Sequence, residues 1–286
     1  MRYEFRFVKY HGCGNDFIIK DELAGKPTPD RHRGKLASLL CDRHFQVGAD
    51  GILFVEASEG VDGSMRLFEP DGKEADMCGN GIRCVASHLC DKLGKDSVDI
   101  MTRDGVKRIV RVGEQYRVDM GVVRTKRSDL KQYLSDRGRL NDSLLNIEID
   151  VEGHKMPCAM VNSGEPHLVV KSRSVDAEDV IAVGDSLKRQ RSRFPKGTNI
   201  NFVESTGPHR IKVRTYERGV YDETLACGTG ATASAAVALM KSWVKPGPVK
   251  VHVLGGEITI ELDVSGRAFM IGPAVKVFSG RLDIEI

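Results

Sequence analysis

At the start of the chain Tyr3, Phe5 and Phe7 alternate with Arg2, Glu4 and Arg6. A period of two is that of a strand with one face buried. The turn His11-Gly-Cys-Gly-Asn-Asp16 then leads into a second expected strand, Phe17–Lys20. Leu36, Leu39 and Leu40 stand at helical spacing and predict a helix from about Asp30 to Phe45. Strands are predicted at Gly51–Glu56, Met65–Phe68, Val98–Met101, Arg108–Val112 and Tyr116–Met120. Residues 124–139 are dense in charge and mark the expected crossing between two domains, their basic residues read as a solvated face. Strands follow at Asn146–Asp150 and Cys158–Val161, then a loop over Asn162–His167 and a helix around Ala177–Ala182. Further strands are expected at Asn201–Val203, Ile211–Tyr216, Val249–Val253, Glu257–Leu262, Phe269–Ile271 and Arg281–Ile286. The alanine-rich stretch Ala231–Trp243 predicts a helix packed on all sides.

Two stretches break this pattern in the same way. Ala75-Asp-Met-Cys-Gly-Asn-Gly-Ile-Arg-Cys84 and Leu225-Ala-Cys-Gly-Thr-Gly-Ala-Thr-Ala-Ser234 each read Cys-Gly-polar-Gly and run straight into an apolar helical segment. A cysteine at the mouth of a helix sits among unpaired N–H groups at the positive end of the helix dipole, a setting that favours thiolate. The glycines let those N–H groups approach a bound carboxylate closely. Two such sites suit stereoinversion, which removes a proton from one face of a carbon and returns one to the other. Cys78 and Cys227 are therefore the candidate acid–base pair, with the N–H groups of Gly79, Asn80, Gly228 and Thr229 as carboxylate binders. Binding the carboxylate there also stabilises the carbanion-like transition state.

Composition narrows the field without redirecting it. At 286 residues, with 41% hydrophobic and 29% charged residues, the chain suits a soluble globular protein of about two domains. Its 43 basic and 40 acidic residues are well mixed, which argues against a nucleic-acid surface. No apolar run reaches membrane-spanning length. Seven cysteines without a CxxC pair, behind a charged start with no signal peptide, point to a reducing, cytoplasmic setting. Cys13, Cys84 and Cys90 are expected to be packing residues. No lysine sits in a recognisable cofactor motif, so neither pyridoxal phosphate nor a metal is expected.

Six blocks carry a family resemblance: His11-Gly-Cys-Gly-Asn-Asp-Phe17, Arg43-His-Phe-Gln-Val-Gly-Ala-Asp-Gly51, Met77-Cys-Gly-Asn-Gly-Ile-Arg-Cys84, Gly164-Glu-Pro-His167, Tyr216-Glu-Arg-Gly219 and Glu223-Thr-Leu-Ala-Cys-Gly-Thr-Gly230. In that order and rough spacing, and nearly end to end, the chain resembles the diaminopimelate epimerases, which use two cysteines and no cofactor. The resemblance implies an α/β (α+β) fold of two pseudo-symmetric domains. Each would be a strongly curved, mostly antiparallel sheet wrapped around a central helix, with the active site in the cleft between them. Residues 1–124 plus 275–286 would form one domain and 125–274 the other. It also implies a homodimer, an amino-acid substrate, and conversion of LL-diaminopimelate to its meso form in lysine and cell-wall precursor biosynthesis.

Residue roles follow from the same resemblance. Asn15 would touch substrate, and His167 and Glu217 would be the ionisable neighbours that tune the thiols. Arg218 suits bidentate binding of a second, distal carboxylate, with Asn199 beside it. Asn201, two positions on, receives no firm role. Two departures stand out. Glu69, nine residues before Cys78, and Glu165, just before Pro166, occupy positions where asparagine is usual or common. If both faced the pocket they would favour a distal cation and compete for Arg218. A racemase of histidine, lysine or ornithine is the second reading. A non-catalytic small-molecule binder is the third; it would have no need of both cysteines.

Overall fold

The computed structural model describes residues 2–25, 27–135 and 143–285, and for Arg2 and Tyr3 the backbone alone. The Tyr3 side chain, residues 136–139 of the expected crossing and Ile286 lie outside the described residues. The chain forms two compact units, Met1–Asp119 with Ile271–Ile286, and Met120–Met270.

The first unit holds β1 (Arg2–Gly12), β2 (Asn15–Glu22), α1 (Asp30–Leu40), β3 (Gly51–Glu56), β4 (Gly63–Phe68), β5 (Glu74–Ala75), α2 (Gly79–Leu93), β6 (Ser97–Thr102) and β7 (Gly105–Val112). β8 (Gln115–Val122) runs out of it in sequence. The second holds α3 (Arg127–Leu130), β9 (Ile147–Val151), β10 (His154–Asn162), β11 (Pro166–Lys171), α4 (Val180–Arg189), β12 (Asn199–Gly207), β13 (Arg210–Glu217), β14 (Asp222–Thr224), α5 (Gly228–Met240), β15 (Val249–Val253) and β16 (Gly256–Leu262). β17 (Arg267–Pro273) and β18 (Val275–Glu285) complete the chain, and β18 pairs antiparallel with β1 from His11↔Val275 to Arg2↔Glu285. The fold is mixed, mostly strand.

Strand pairing repeats between the units. β1–β2 is antiparallel, β2–β3 parallel, β3–β4 and β4–β5 antiparallel, β4–β6 parallel and β6–β7 antiparallel. β10–β11, β11–β12, β12–β13, β13–β14, β13–β15 and β15–β16 follow the same succession of directions. From the residues alone the repeat reaches little beyond the cysteine motifs; in three dimensions it takes in six strand pairings in each unit and the helix that follows each cysteine. Even an ion pair recurs: Arg66 on β4 clamps Glu74 on β5 at 2.7 and 2.9 Å, and Arg214 on β13 clamps Glu223 on β14 at 2.6 Å twice.

In each unit one helix is packed by strands on many sides, α2 by β1, β2, β3, β4, β6, β7 and β18, α5 by β10, β11, β12, β13, β15 and β16. The small side chains of α5 permit that enclosure, and every residue from Gly230 to Ala238 is buried. Cys84 and Cys90 lie in the buried face of α2, and burial pushes the Cys84 thiol up to about 12. They pack, as expected.

Several elements depart from the sequence reading. α1 stops at Leu40 instead of continuing to Phe45, because the Asp42 carboxylate accepts the N–H groups of His44 and Phe45 at 2.8 and 2.9 Å. That local bond offers the backbone an alternative to the helix. α4 begins at Val180, where Asp179 caps it by accepting the Ala182 N–H at 3.0 Å; the expected helix began at Ala177. The loop expected through His167 ends sooner, since Pro166–Lys171 is a buried strand parallel to β12. Its unbroken apolar run, Leu168-Val-Val170, is what a doubly covered parallel strand shows.

Candidate active site

Cys78 is the N-cap of α2, and its sulfur accepts the Gly81 N–H at 3.4 Å. Cys227 is the N-cap of α5 and accepts the Gly230 N–H at 3.3 Å. Both helices therefore begin at the cysteine itself, so α5 starts three residues before the expected Ala231. Sulfur replaces the usual cap oxygen, and the N–H groups of Gly79 and Asn80, or of Gly228 and Thr229, belong to the turn it caps. Gly230 has no alternative: a β-carbon there would lie 2.5 Å from Asn201 Oδ1 and 3.2 Å from the Cys227 sulfur.

Around Cys78 the structure gathers Asn15 and Asn80. The Cys78 thiol points at Asn15 Oδ1 at 3.7 Å, and Asn80 Nδ2 donates to the same oxygen at 3.1 Å. Glu69 is exposed, at a turn where its N–H donates to Lys73 O and its carbonyl accepts from the Gly72 N–H.

Around Cys227 the arrangement is buried and polar. Thr229 Oγ1 lies 3.4 Å from the Cys227 sulfur and 3.0 Å from His167 Nε2. His167 is fully buried on β11, and burial, with the nearby Arg218 charge, holds its pKa down at about 3. At neutral pH the ring is neutral. Its tautomer is set by its neighbours. Thr215 Oγ1 donates to Asn201 Oδ1 at 2.9 Å, which turns the Asn201 amide nitrogen toward Leu168 O and His167 Nδ1, 3.3 and 2.9 Å away. Nδ1 must then accept, and the proton sits on Nε2. Nε2–H donates to Thr229, whose own hydroxyl hydrogen is left to face the sulfur.

The expected distal group also assembles in this unit. Asn199 Oδ1 accepts the Arg218 N–H at 2.8 Å, and its Nδ2 donates to Pro166 O at 3.0 Å. Arg218 Nε donates to Glu165 Oε2 at 2.8 Å and Nη2 donates to the same oxygen, while Nη1 reaches Lys196 O at 3.1 Å. The guanidinium also lies over the Tyr133 ring, 5.5 Å from its centre. Glu217 accepts a hydrogen bond from the Thr224 hydroxyl. Tyr221 lies under Lys188 Nζ at 3.9 Å, and its N–H donates to Glu217 O at 2.8 Å.

Asn201 and Thr215 were not among the residues assigned from the sequence. The available signal was slight: Asn201 follows Asn199 by two on one strand, hence on the same face. Thr229 was assigned only for its backbone N–H; the fold gives its hydroxyl a place as well. Among the described residues, no three His, Cys, Asp or Glu side chains cluster as metal ligands would, and no helix is long and apolar enough to cross a membrane.

A cysteine-capped helix built twice suits an isomerase acting at the stereocentre of an amino acid. The family model for diaminopimelate epimerase matches residues 7–126 and 159–277. The diaminopimelate epimerase of Methanocella arvoryzae is 38% identical, covering 99% of this chain and 98% of its own. That of Methanothrix thermoacetophila is 41% identical over the same shares. The chain belongs to the diaminopimelate epimerase family. Solved structures share the fold at low identity. A PhzF-family phenazine biosynthesis protein of Bacillus anthracis superposes with a TM-score of 0.68 at 19% identity, covering 99% of this chain and 100% of its own. A hydroxyproline epimerase from Agrobacterium vitis, with bound trans-4-hydroxy-L-proline, gives 0.70 at 13% identity, covering 99% and 94%.

Proposed function

We propose that this enzyme converts LL-diaminopimelate to meso-diaminopimelate with Cys78 and Cys227 as acid and base and no cofactor. One cysteine, as thiolate, takes the α-hydrogen as a proton; the other, as thiol, delivers a proton to the opposite face. The carbon inverts and the two sulfurs exchange protonation states. The observation that carries this reading is the matched pair of N-cap cysteines, each taking the N–H of the glycine three residues on. First-turn N–H groups at those helices bind the α-carboxylate, into which the developing charge delocalises. At Cys227 the neutral His167 acts through Thr229, supplying a hydroxyl hydrogen to the sulfur when it is thiolate. Arg218, held by Asn199, takes the distal carboxylate. The enzyme works as a homodimer in the cytoplasm, in lysine biosynthesis.

The test is α-hydrogen exchange in D2O followed by NMR, with purified protein under reductant. LL-diaminopimelate is expected to exchange and invert, and L-histidine, L-lysine and L-ornithine to stay unlabelled. Labelling of a basic amino acid alone would overturn the substrate assignment, and no labelling of any would overturn the reaction.

A further inference from the structure

We infer that Asp50 is a positioning residue for the Cys78 half-site, fixing which end of the Asn15 amide faces the sulfur. The inference rests on Cys78 being a working thiol. A chain of hydrogen bonds runs from a group that can only donate to a group that can only accept. The buried guanidinium of Arg83 donates from Nη2 to Asn80 Oδ1 at 2.9 Å. Asn80 Nδ2 donates to Asn15 Oδ1 at 3.1 Å, and Asn15 Nδ2 donates to Asp50 Oδ2 at 2.7 Å. An amide has one accepting and one donating end. With a guanidinium at one terminus and a carboxylate at the other, both amides can point in one direction only. That direction aims Asn15 Oδ1, an acceptor, at the Cys78 thiol.

Asp50 is itself held. Its Oδ1 accepts from Arg43 Nη2 at 2.6 Å and its Oδ2 accepts the Asp16 N–H at 3.1 Å. Arg43 also spans to Asp16 at 2.7 and 3.1 Å, and Lys9 Nζ lies 2.6 Å from Asp16. The block Arg43–Gly51, which stood out in the sequence without a chemical task, thus supplies both the carboxylate that orients Asn15 and the arginine that orients the carboxylate.

The experiment uses the full chain with Cys227→Ala, so that Cys78 chemistry is read apart from turnover, and follows iodoacetamide modification of the Cys78 peptide by mass spectrometry. In D50N the amide at position 50 can also donate, so one of the two ends that fix Asn15 is lost and only the Asn80 NH2 still opposes a turn of the Asn15 NH2 toward the sulfur. A donor there favours the thiolate, the species that alkylates. D50N is expected to speed Cys78 modification at neutral pH by about threefold, and Asn15→Ala to remove that difference. Equal or slower modification in D50N overturns the inference, as does a D50N effect that survives Asn15→Ala. Asp50 is partly exposed, and a melting curve checks that D50N stays folded. In otherwise native enzyme D50N is expected to lower kcat by about tenfold. Native protein that alkylates as expected but fails to epimerise would count against the proposed reaction and leave the role of Asp50 standing.

Discussion

The two half-sites share a scaffold and differ in what lies behind the helix. In the first unit β2, β3 and β4 bring together Phe17 opposite Gly51 and Leu53 opposite Leu67. In the second, β11, β12 and β13 bring His167 opposite Asn199 and Asn201 opposite Thr215. The glycine at the third helix position confirms the match, since Gly81 lies against Leu53 and Gly230 against Asn201. An apolar backing in one unit is thus a hydrogen-bonded Thr–Asn–His–Thr series in the other. Cys78 is instead oriented from the side, by Asn15 and the charged Asp50–Arg43–Asp16–Lys9 group. One duplicated frame therefore carries two kinds of surroundings: a buried hydrogen-bonded series behind Cys227, and a partly exposed ionic group beside Asn15 and Cys78. Reversible inversion needs two thiols of similar competence, and on the proposed mechanism these two would reach it from unlike surroundings.

Removing either sulfur should break the comparison outright. Cys78→Ala and Cys227→Ala are each expected to lose at least about a thousandfold in epimerisation, read as inversion of LL-diaminopimelate. Retention of inversion by either variant would refute the two-thiol mechanism. Installing the first unit's residue in the second, as Asn201→Leu, should come next. His167 Nδ1 would lose its donor inside the core and Thr215 its acceptor, at a cost of about 1–3 kcal/mol in denaturant unfolding. kcat should fall by about tenfold as the His167 proton loses its fixed position. A variant with native kcat would show that the polar backing is structural only.

Glu165 offers a smaller effect of opposite sign. It holds the Nε and Nη2 side of Arg218, the edge a carboxylate would take bidentately. Glu165→Gln is expected to lower KM for diaminopimelate by about three- to tenfold; a raised KM would mean that Glu165 orients Arg218 and does not compete. The smallest effect is in pH. His167 has a folded pKa near 3 against an ordinary value of 6.5. Above pH 6.5 it is neutral folded or unfolded and contributes no pH dependence. Below that, the unfolded chain binds a proton that the folded one excludes, so stability falls with decreasing pH, by at most about 1.4 kcal/mol per unit, down to the folded value. His167→Gln should flatten that part of the acid limb in urea titrations between pH 6.5 and 4.5.

Much of this site was legible in the residues, and the reason is that it is local. A cysteine caps a helix through the N–H three positions on, so Cys-Gly-x-Gly before an apolar run contains both sulfur and partner. The alternation in β1 and the alanine content of α5 are equally local. The errors were local too: Asp42 and Asp179 mark a helix end and a helix start by single side-chain bonds, which hydrophobic spacing does not register. Glu165 was visible as a departure that would compete for Arg218 if it faced the pocket; that the two meet was decided by the fold, because they are far apart in sequence.

What the sequence determined by itself was the pair of capped cysteines, the two long helices behind them, the mixed strand-rich class and the family. What only the tertiary structure decided was the partner of each polar side chain. Thr215 meets Asn201, and Asp50 meets Asn15, through strand register and loop closure over tens of residues. A shift of one residue in either pairing would turn those side chains to the other face. The full extent of the duplication was decided at the same level, because pairing direction is a property of two strands together, of which one strand's apolar run gives only a hint.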